Sequence, residues 1–210
     1  MNKEELAIKY TDFLLEEGRK PINVFKFCKS IELEEKDFYQ FFASFSAIEK
    51  WMFIHFFEKT TVLLNKDSSY KTYDSKEKLL SFYYTYFELL NTNRSLVLHV
   101  LKGKNPLQKM EQLKGLRTHF IAMIQELGIE LAELPIEKTK EIQRRGLQEV
   151  IWGQFMIILQ YWIKDDSENF EKTDLFIEKT TAVGFDLVMS SPLENIMDLG
   201  KFLLKDKFKM

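Results

Sequence analysis

The chain has 210 residues, a formal net charge of −2 and 45% hydrophobic residues. This length suits one large domain or a small head on a larger body, and the near-neutral charge excludes a global basic field that would draw the protein onto nucleic acid. Gly (8) and Pro (4) are scarce, which favours long helices over a turn-rich β fold. Cys28 is the single cysteine, so no intrachain disulfide can form.

The N-terminal residues contain no apolar run of the kind found in a signal peptide. The least polar stretch, residues 150–163, has no charges, but its 14 residues are too few to span a bilayer. We therefore expect a cytoplasmic protein.

Apolar residues recur at the three- and four-residue spacing of a helix along nearly the whole chain, beginning with Leu6, Tyr10 and Leu14. No segment shows the alternation of a strand. The spacing predicts an all-α protein of about ten helices. They are expected before Gly18 and at about 22–30, 33–41, 46–64, 75–91 (with Ser75 as the cap), 95–102, 108–127, 136–164, 170–189 and 193–206.

The first 48 residues carry a recognisable pattern. Gly18 follows the first helix, Val24 lies near the start of the second, and Phe38, Tyr39 and Phe42 form a Phe-Tyr-x-x-Phe block. In this spacing the segment resembles the head of the TetR family of transcriptional regulators. The resemblance implies a three-helix head with a helix-turn-helix (1–46) and an all-helical ligand-binding and dimerisation domain (47–210). It implies DNA contacts from Asn23, Lys26, Lys36, Tyr39 and Gln40.

Acidic residues occupy several positions that face DNA in that family. Glu32 stands where the family has its turn glycine, and Glu34, Glu35 and Asp37 follow it. Residues 22–42 contain three lysines against these four acids. An acidic face is repelled by phosphates, so DNA binding is expected to be weak or lost. The same acids also favour the positive end of the third helix, which would explain them without any effect on function.

The resemblance also implies an apolar ligand pocket and a homodimer formed by the last two long helices. Each aromatic residue at helical spacing could equally belong to the core. The predicted ligand-binding residues are Phe82, Tyr83, Tyr86, Phe87, His99, Met110, Phe120, Met123, Trp152, Phe155 and Met156. The predicted dimer-interface residues are Ile151, Ile158, Phe176, Thr180, Val183 and Leu187.

Motifs of enzymes and metal sites are missing from the sequence. His55, His99 and His119 have no partner at the spacing of a metal motif, and no phosphate-binding glycine loop or nucleophile elbow is found. We expect no enzyme activity, no cofactor and no metal.

Residues 165–179 (DDSENFEKTDLFIEK) support a second resemblance, to the lipid-binding accessory proteins of ubiquinone biosynthesis, which share the TetR fold. The matching residues are Asp166, Ser167, Phe170, Thr173, Phe176, Ile177 and Glu178. In those proteins a final amphipathic helix touches membranes. The last 18 residues here combine Leu193, Ile196, Met197, Phe202, Leu203, Leu204 and Phe208 with Lys201, Lys205, Lys207 and Lys209.

Such a basic amphipathic tail can lie on an anionic membrane, or it can dock on its own body. Two functions follow from the two resemblances. The first is a ligand-responsive transcriptional repressor that binds DNA and an apolar small molecule. The second is a protein that has lost DNA binding and carries a lipid or isoprenoid as an accessory to a membrane or biosynthetic partner.

Overall fold

A computed structural model describes residues 1–129 and 137–190, with side chains described for all of these except 137–140, 142, 143 and 187–190. These residues form ten α-helices and no strand, which confirms the predicted all-α fold. The helix expected at 193–206 lies outside the described residues. The helices are α1 Lys3–Glu17, α2 Val24–Ser30, α3 Glu35–Phe41, α4 Phe45–Lys66, α5 Ser75–Thr92, α6 Arg94–Leu101, α7 Pro106–Gln112, α8 Lys114–Glu126, α9 Glu137–Lys164 and α10 Glu171–Ser190.

Side chains cap the first two helices of the head. Asn2 caps α1 in a reciprocal pair with Glu5, and Gly18 ends the helix at φ 63°, in the left-handed region where glycine is favoured. Asn23 accepts a hydrogen bond from the Lys26 amide at 2.8 Å, so α2 begins at Val24 and not at residue 22 as predicted. Helix α3 begins at Glu35, two residues later than expected, because the turn before it occupies residues 31–34.

The residue that caps the N-terminus of α5 differs from the prediction. Asp74, and not Ser75, caps this helix: the Glu77 amide donates to Asp74 Oδ1 at 2.8 Å and the Asp74 amide donates to Glu77 Oε2 at 2.9 Å. The Ser75 hydroxyl donates instead to the Leu127 carbonyl at 2.8 Å. Ser75 therefore ties α5 to the end of α8.

The helix predicted at 108–127 is divided in two. Asn105 and Gln108 form a capping box that starts α7 at Pro106, and the buried Leu113 separates α7 from α8. At Gly115 an added Cβ would lie 2.6 Å from Ile54 Cδ1, so glycine allows α8 to approach α4 closely.

The contacts divide the chain into two compact units. Unit 1 is Met1–Val62 with Tyr86–His119, and unit 2 is Leu63–Thr85 with the residues from Phe120 onward. Helices α4, α5 and α8 contribute residues to both. The first unit contains the head, and the second contains α9 and α10.

Candidate functional sites

An aromatic core holds the three head helices on α4. Phe27 of α2 is fully buried, and its ring centroid lies 6.1 Å from that of Tyr10, 6.3 Å from that of Phe38 and 5.5 Å from that of Phe45. These near-perpendicular contacts are favourable ring geometries. Phe45, at the start of α4, contributes its ring to this core.

The turn between α2 and α3 is tight despite its missing glycine. Glu32 adopts φ 55°, and the Leu33 amide donates to the Cys28 carbonyl at 2.9 Å. The left-handed conformation costs a residue other than glycine about 1 kcal/mol. The tight turn between α2 and α3 therefore forms at a cost in folding free energy.

Three of the predicted DNA-contacting residues lie on α3, and each has an acidic partner. Lys36 Nζ lies 2.6 Å from Glu34 Oε2. The Tyr39 hydroxyl donates to Glu35 Oε1 at 3.3 Å, and the Gln40 amide donates to Asp37 Oδ1 at 3.2 Å. The hydrogen bond to Glu34 raises the pKa of Lys36. The other two predicted contacts, Asn23 and Lys26, are exposed at the start of α2.

The eleven predicted ligand-binding residues are divided between the two units. Five of them form an aromatic cluster in unit 2, in which the Phe120 centroid lies 5.2 Å from that of Phe155 and 5.6 Å from those of Phe82 and Trp152. The Tyr83 ring stacks on Phe155 at 6.3 Å. Met123 and Met156 belong to the same unit. Tyr86, Phe87, His99 and Met110 belong to unit 1, where Met110 is 51% exposed.

A groove of about 440 Å³ lies elsewhere, where α9 and α10 face each other in unit 2. Leu147, Val150 and Ile151 line it from α9, while Ile129 lies at its end. Of the described residues that line it, only Lys179 is charged. Three residues of α10 also line it: Phe176, Thr180 and Val183. These three, like Ile151, were predicted to be at the dimer interface.

Hydrogen bonds within the protein engage the polar groups of this groove. The Gln154 amide donates to Thr181 Oγ1 at 3.0 Å and to Thr180 Oγ1 at 3.3 Å, and Gln154 Oε1 accepts from the Tyr83 hydroxyl at 3.4 Å. Thr180 Oγ1 donates to the Phe176 carbonyl at 2.7 Å. Most side chains that line the groove are therefore apolar or already hydrogen-bonded. The groove was not predicted, because its walls come from residues with the helical spacing of a core.

The predicted dimer-interface residues differ in exposure. Ile158 is fully buried and Ile151 is 5% exposed, so both side chains belong to the core of their own protomer. Val183 is 57% exposed, and Phe176 stacks on Tyr161 with centroids 4.4 Å apart. The side chain of Leu187 lies outside the described residues. Ile157, one residue before Ile158, is 59% exposed and was not among the predicted residues.

A buried carboxylate organises the junction between α9 and α10. Asp165 accepts bonds from the Ser167 amide (2.9 Å) and hydroxyl (2.7 Å) and from the Thr173 amide (2.9 Å) and hydroxyl (2.6 Å). Burial would raise the Asp165 pKa, but these hydrogen bonds outweigh it and lower the pKa from 3.8 to about 2. Ser167 and Thr173, two residues of the second resemblance, thus stabilise the junction between α9 and α10.

A second buried charge, also missed from the sequence, lies in unit 1. Glu49 of α4 is 1% exposed, accepts from the Tyr10 hydroxyl at 2.9 Å and pairs with Lys20 Nζ at 2.7 Å. Burial and the neighbouring Glu49 charge raise the pKa of Tyr10 well above its usual value. The hydrogen bond from Tyr10 and the ion pair with Lys20 thus join α1 and the loop after it to α4.

The histidines do not form a metal site with their neighbours. Within residues 1–129 and the described part of 137–190, no three His, Cys, Asp or Glu side chains are grouped for a metal ion. His55 stacks on Trp51 at 4.5 Å with Nε2 3.2 Å from Glu4 Oε1, and His119 packs near Phe57 at 5.7 Å.

None of the helices within residues 1–129 and 137–190 has the length and hydrophobicity needed to cross a membrane.

Comparison with known proteins identifies the body. A family model for the Tetracyclin repressor-like C-terminal domain matches residues 78–203, more than half of the chain. No curated protein matches the chain significantly. The match covers α5 to α10, and the head that precedes it has the helix-turn-helix described above. The chain therefore belongs to the TetR family of regulators.

Proposed function

We propose that the protein is a ligand-responsive transcriptional repressor of the TetR type. The observation that carries this proposal is the pair of short helices α2 and α3, joined by a tight turn, in a chain whose residues 78–203 match the repressor-like family model. Asn23 and Lys26 on α2, with Lys36, Tyr39 and Gln40 on α3, would approach the major groove. An apolar ligand in the body would shift the population towards a state that does not bind DNA.

The homodimer of this proposal is supported by the outer surfaces of α9 and α10. Ile157 of α9 is 59% exposed and Val183 of α10 is 57% exposed. Gly153 has open space where its Cβ would be, so a second helix could approach there. We propose that Ile157 and Val183 contact a second copy near Gly153, and we assign Phe176 and Thr180 to the ligand groove.

The ligand of this proposal is an apolar small molecule. The groove between α9 and α10 has a volume within the range of small-molecule sites, and the bonded state of Gln154 and Thr180 leaves few polar groups to select a polar ligand. We propose this groove, and not the aromatic cluster around Phe120, as the ligand site.

A second candidate function is favoured by the contacts on α3. Lys36, Tyr39 and Gln40 would each have to leave an acidic partner to reach DNA, and the released carboxylates would face phosphates. In this candidate the protein no longer binds DNA and carries a lipid or isoprenoid for a membrane or biosynthetic partner.

One experiment separates the two candidates. Binding of the purified protein to its own upstream DNA is measured across a salt series by fluorescence anisotropy, beside lipid extraction and mass spectrometry. The repressor predicts sequence-specific binding whose affinity falls as salt increases. Absence of DNA binding at low salt, with lipid co-purifying, would reject the repressor and support the accessory protein.

The dimer is tested separately with Val183→Glu, measured by light scattering after size exclusion. We expect a shift to monomer, because a charge would be buried at the contact. Val62→Glu, at an exposed position of α4, is the matched control and should leave the mass unchanged.

A further inference from the structure

A second cavity adjoins the groove between α9 and α10. It has a volume of about 750 Å³ and is lined by residues from the end of α8 and from the first half of α9. Ile129 and Leu147 line both the groove and this cavity, so the two spaces meet at these side chains. All the described residues that line either space belong to unit 2. A ligand that lies in the groove can therefore extend into the cavity.

The cavity differs from the groove in its charge. Three of the described residues that line it are charged, namely Glu141, Arg144 and Arg145, which leaves one net positive charge. Arg145 Nη2 lies 2.6 Å from Glu141 Oε1, so these two charges compensate each other. Arg144 is exposed and forms no ion pair with a described residue. Its guanidinium group is therefore available to an anion.

The positions along α9 separate an apolar end of the site from a basic end. Each residue of an α-helix rises 1.5 Å, so Arg144 lies about 15 Å from Gln154 along the helix axis. Leu147, Val150 and Ile151 line the groove between these two positions. The site thus has a long apolar wall with a single uncompensated positive charge beyond one end. A molecule with an apolar chain and an anionic end group matches this order.

Arg144 suits an anionic group better than Lys179, the charged residue of the groove. A guanidinium group donates two parallel hydrogen bonds to a carboxylate or a phosphate, whereas an ammonium group acts as a point charge. Gln125 and Gln148 also line the cavity and add amide donors to it. In the groove, by contrast, the amide of Gln154 already donates within the protein.

We propose that the groove and the cavity together bind one amphipathic anion, with an unbranched apolar chain and a terminal carboxylate or phosphate. The chain lies in the groove against Leu147, Val150 and Ile151, and the anionic group pairs with Arg144 in the cavity. This inference rests on the proposed function, because it specifies the ligand of the groove already assigned there. The apolar lining of the groove is kept for the chain, and the one charged group of the ligand lies outside it.

Isothermal titration calorimetry of the full-length protein tests the proposal with four probes of equal chain length: decanoate, decyl phosphate, decanol and decylamine. Each probe is used below the concentration at which it forms micelles. We expect decanoate or decyl phosphate to bind about three- to tenfold more tightly than decanol, because only an anion gains an ion pair with the exposed Arg144. High salt should reduce this advantage. Decylamine should bind most weakly, and the tighter of the two anions identifies the class of the anionic group.

Single-charge variants locate the anionic group. Arg144→Gln should weaken binding of the preferred anion about three- to tenfold and leave decanol binding unchanged. Lys164→Gln is the matched control, since it removes a positive charge from an exposed position of α9 about 30 Å away along the helix axis, and it should change neither. Glu141→Gln removes a negative charge from the cavity and should strengthen anion binding about two- to threefold. A folding defect cannot produce this gain.

Several results would overturn the proposal. Equal affinities for decanol and for both anions would show that the ligand needs no charged end, and absence of binding by all four probes would show that the site does not hold such chains. The proposal also fails if Arg144→Gln acts no differently from Lys164→Gln, or if Lys179→Gln, and not Arg144→Gln, weakens anion binding. Binding of upstream DNA and co-purification of lipid are measured without these probes. Failure here therefore remains distinguishable from failure of either candidate function.

Discussion

Replacing Asp165 by asparagine should destabilise the protein by more than a typical surface substitution. The Asp165 carboxylate accepts four hydrogen bonds, two each from Ser167 and Thr173, and its pKa is lowered from 3.8 to about 2. This difference in pKa corresponds to about 2.4 kcal/mol of unfolding free energy. An asparagine side chain has one oxygen, so its amide would point a donor at donors of Thr173 and leave them unpaired.

The assay is urea denaturation of wild type and Asp165→Asn followed by circular dichroism. We expect a loss of about 2–3 kcal/mol near neutral pH. Asp166→Asn is the control, since Asp166 is exposed at the adjacent position, and it should change stability by less than about 0.5 kcal/mol.

The pH dependence has a defined sign. Because the pKa is lower in the folded protein, the contribution of Asp165 is fully present above pH 3.8 and is lost as pH falls towards about 2. The stability difference between wild type and Asp165→Asn should therefore shrink over that interval. A loss below 0.5 kcal/mol near neutral pH, or a difference that does not change with pH, would refute this account of the α9–α10 junction.

Three further predictions concern single positions. Glu32→Gly should stabilise the protein by about 1 kcal/mol in urea denaturation, because glycine adopts φ 55° without steric cost; Glu16→Gly, inside α1, should destabilise it instead. Glu49→Ala should lower the free energy of unfolding by about 1–3 kcal/mol, since the buried Tyr10 hydroxyl loses its acceptor, and unchanged stability would contradict the assigned role. Gly184→Leu should fill the groove and abolish binding of an apolar fluorescent probe, while raising the melting temperature through its better helix propensity; retained probe binding would place the ligand elsewhere.

Helical periodicity was sufficient to predict the fold class and most of the helices. The break at Leu113 was not predicted although Gly115 lies two residues beyond it, because a single glycine inside a helical pattern does not by itself mark a helix end. At α5, two adjacent residues could both cap the helix, and only the position of Glu77 decides for Asp74.

The candidate site was harder to predict than the fold. Periodicity indicates which residues point inwards, but it cannot tell a filled core from a cavity, because that depends on the volumes of side chains from distant helices. At the Phe120 cluster, for example, periodicity could not show that the Phe120 and Phe155 centroids lie 5.2 Å apart. On α9, exposed Ile157 and buried Ile158 are one residue apart, and a rotation of about 100° separates them, so an error of one position exchanges surface for core.

The internal bonding of Gln154 and Thr180 has a consequence for ligand selectivity. A site discriminates strongly between a hydroxyl and a methyl group when it contains an unpaired polar partner for that hydroxyl. Here the amide of Gln154 is already engaged by Thr180 and Thr181, and the Thr180 hydroxyl by the Phe176 carbonyl. A ligand in the groove would therefore be selected by its length and width. Each methylene gained or lost would change the binding free energy by about 1–3 kcal/mol, so homologous chains would bind with graded affinities.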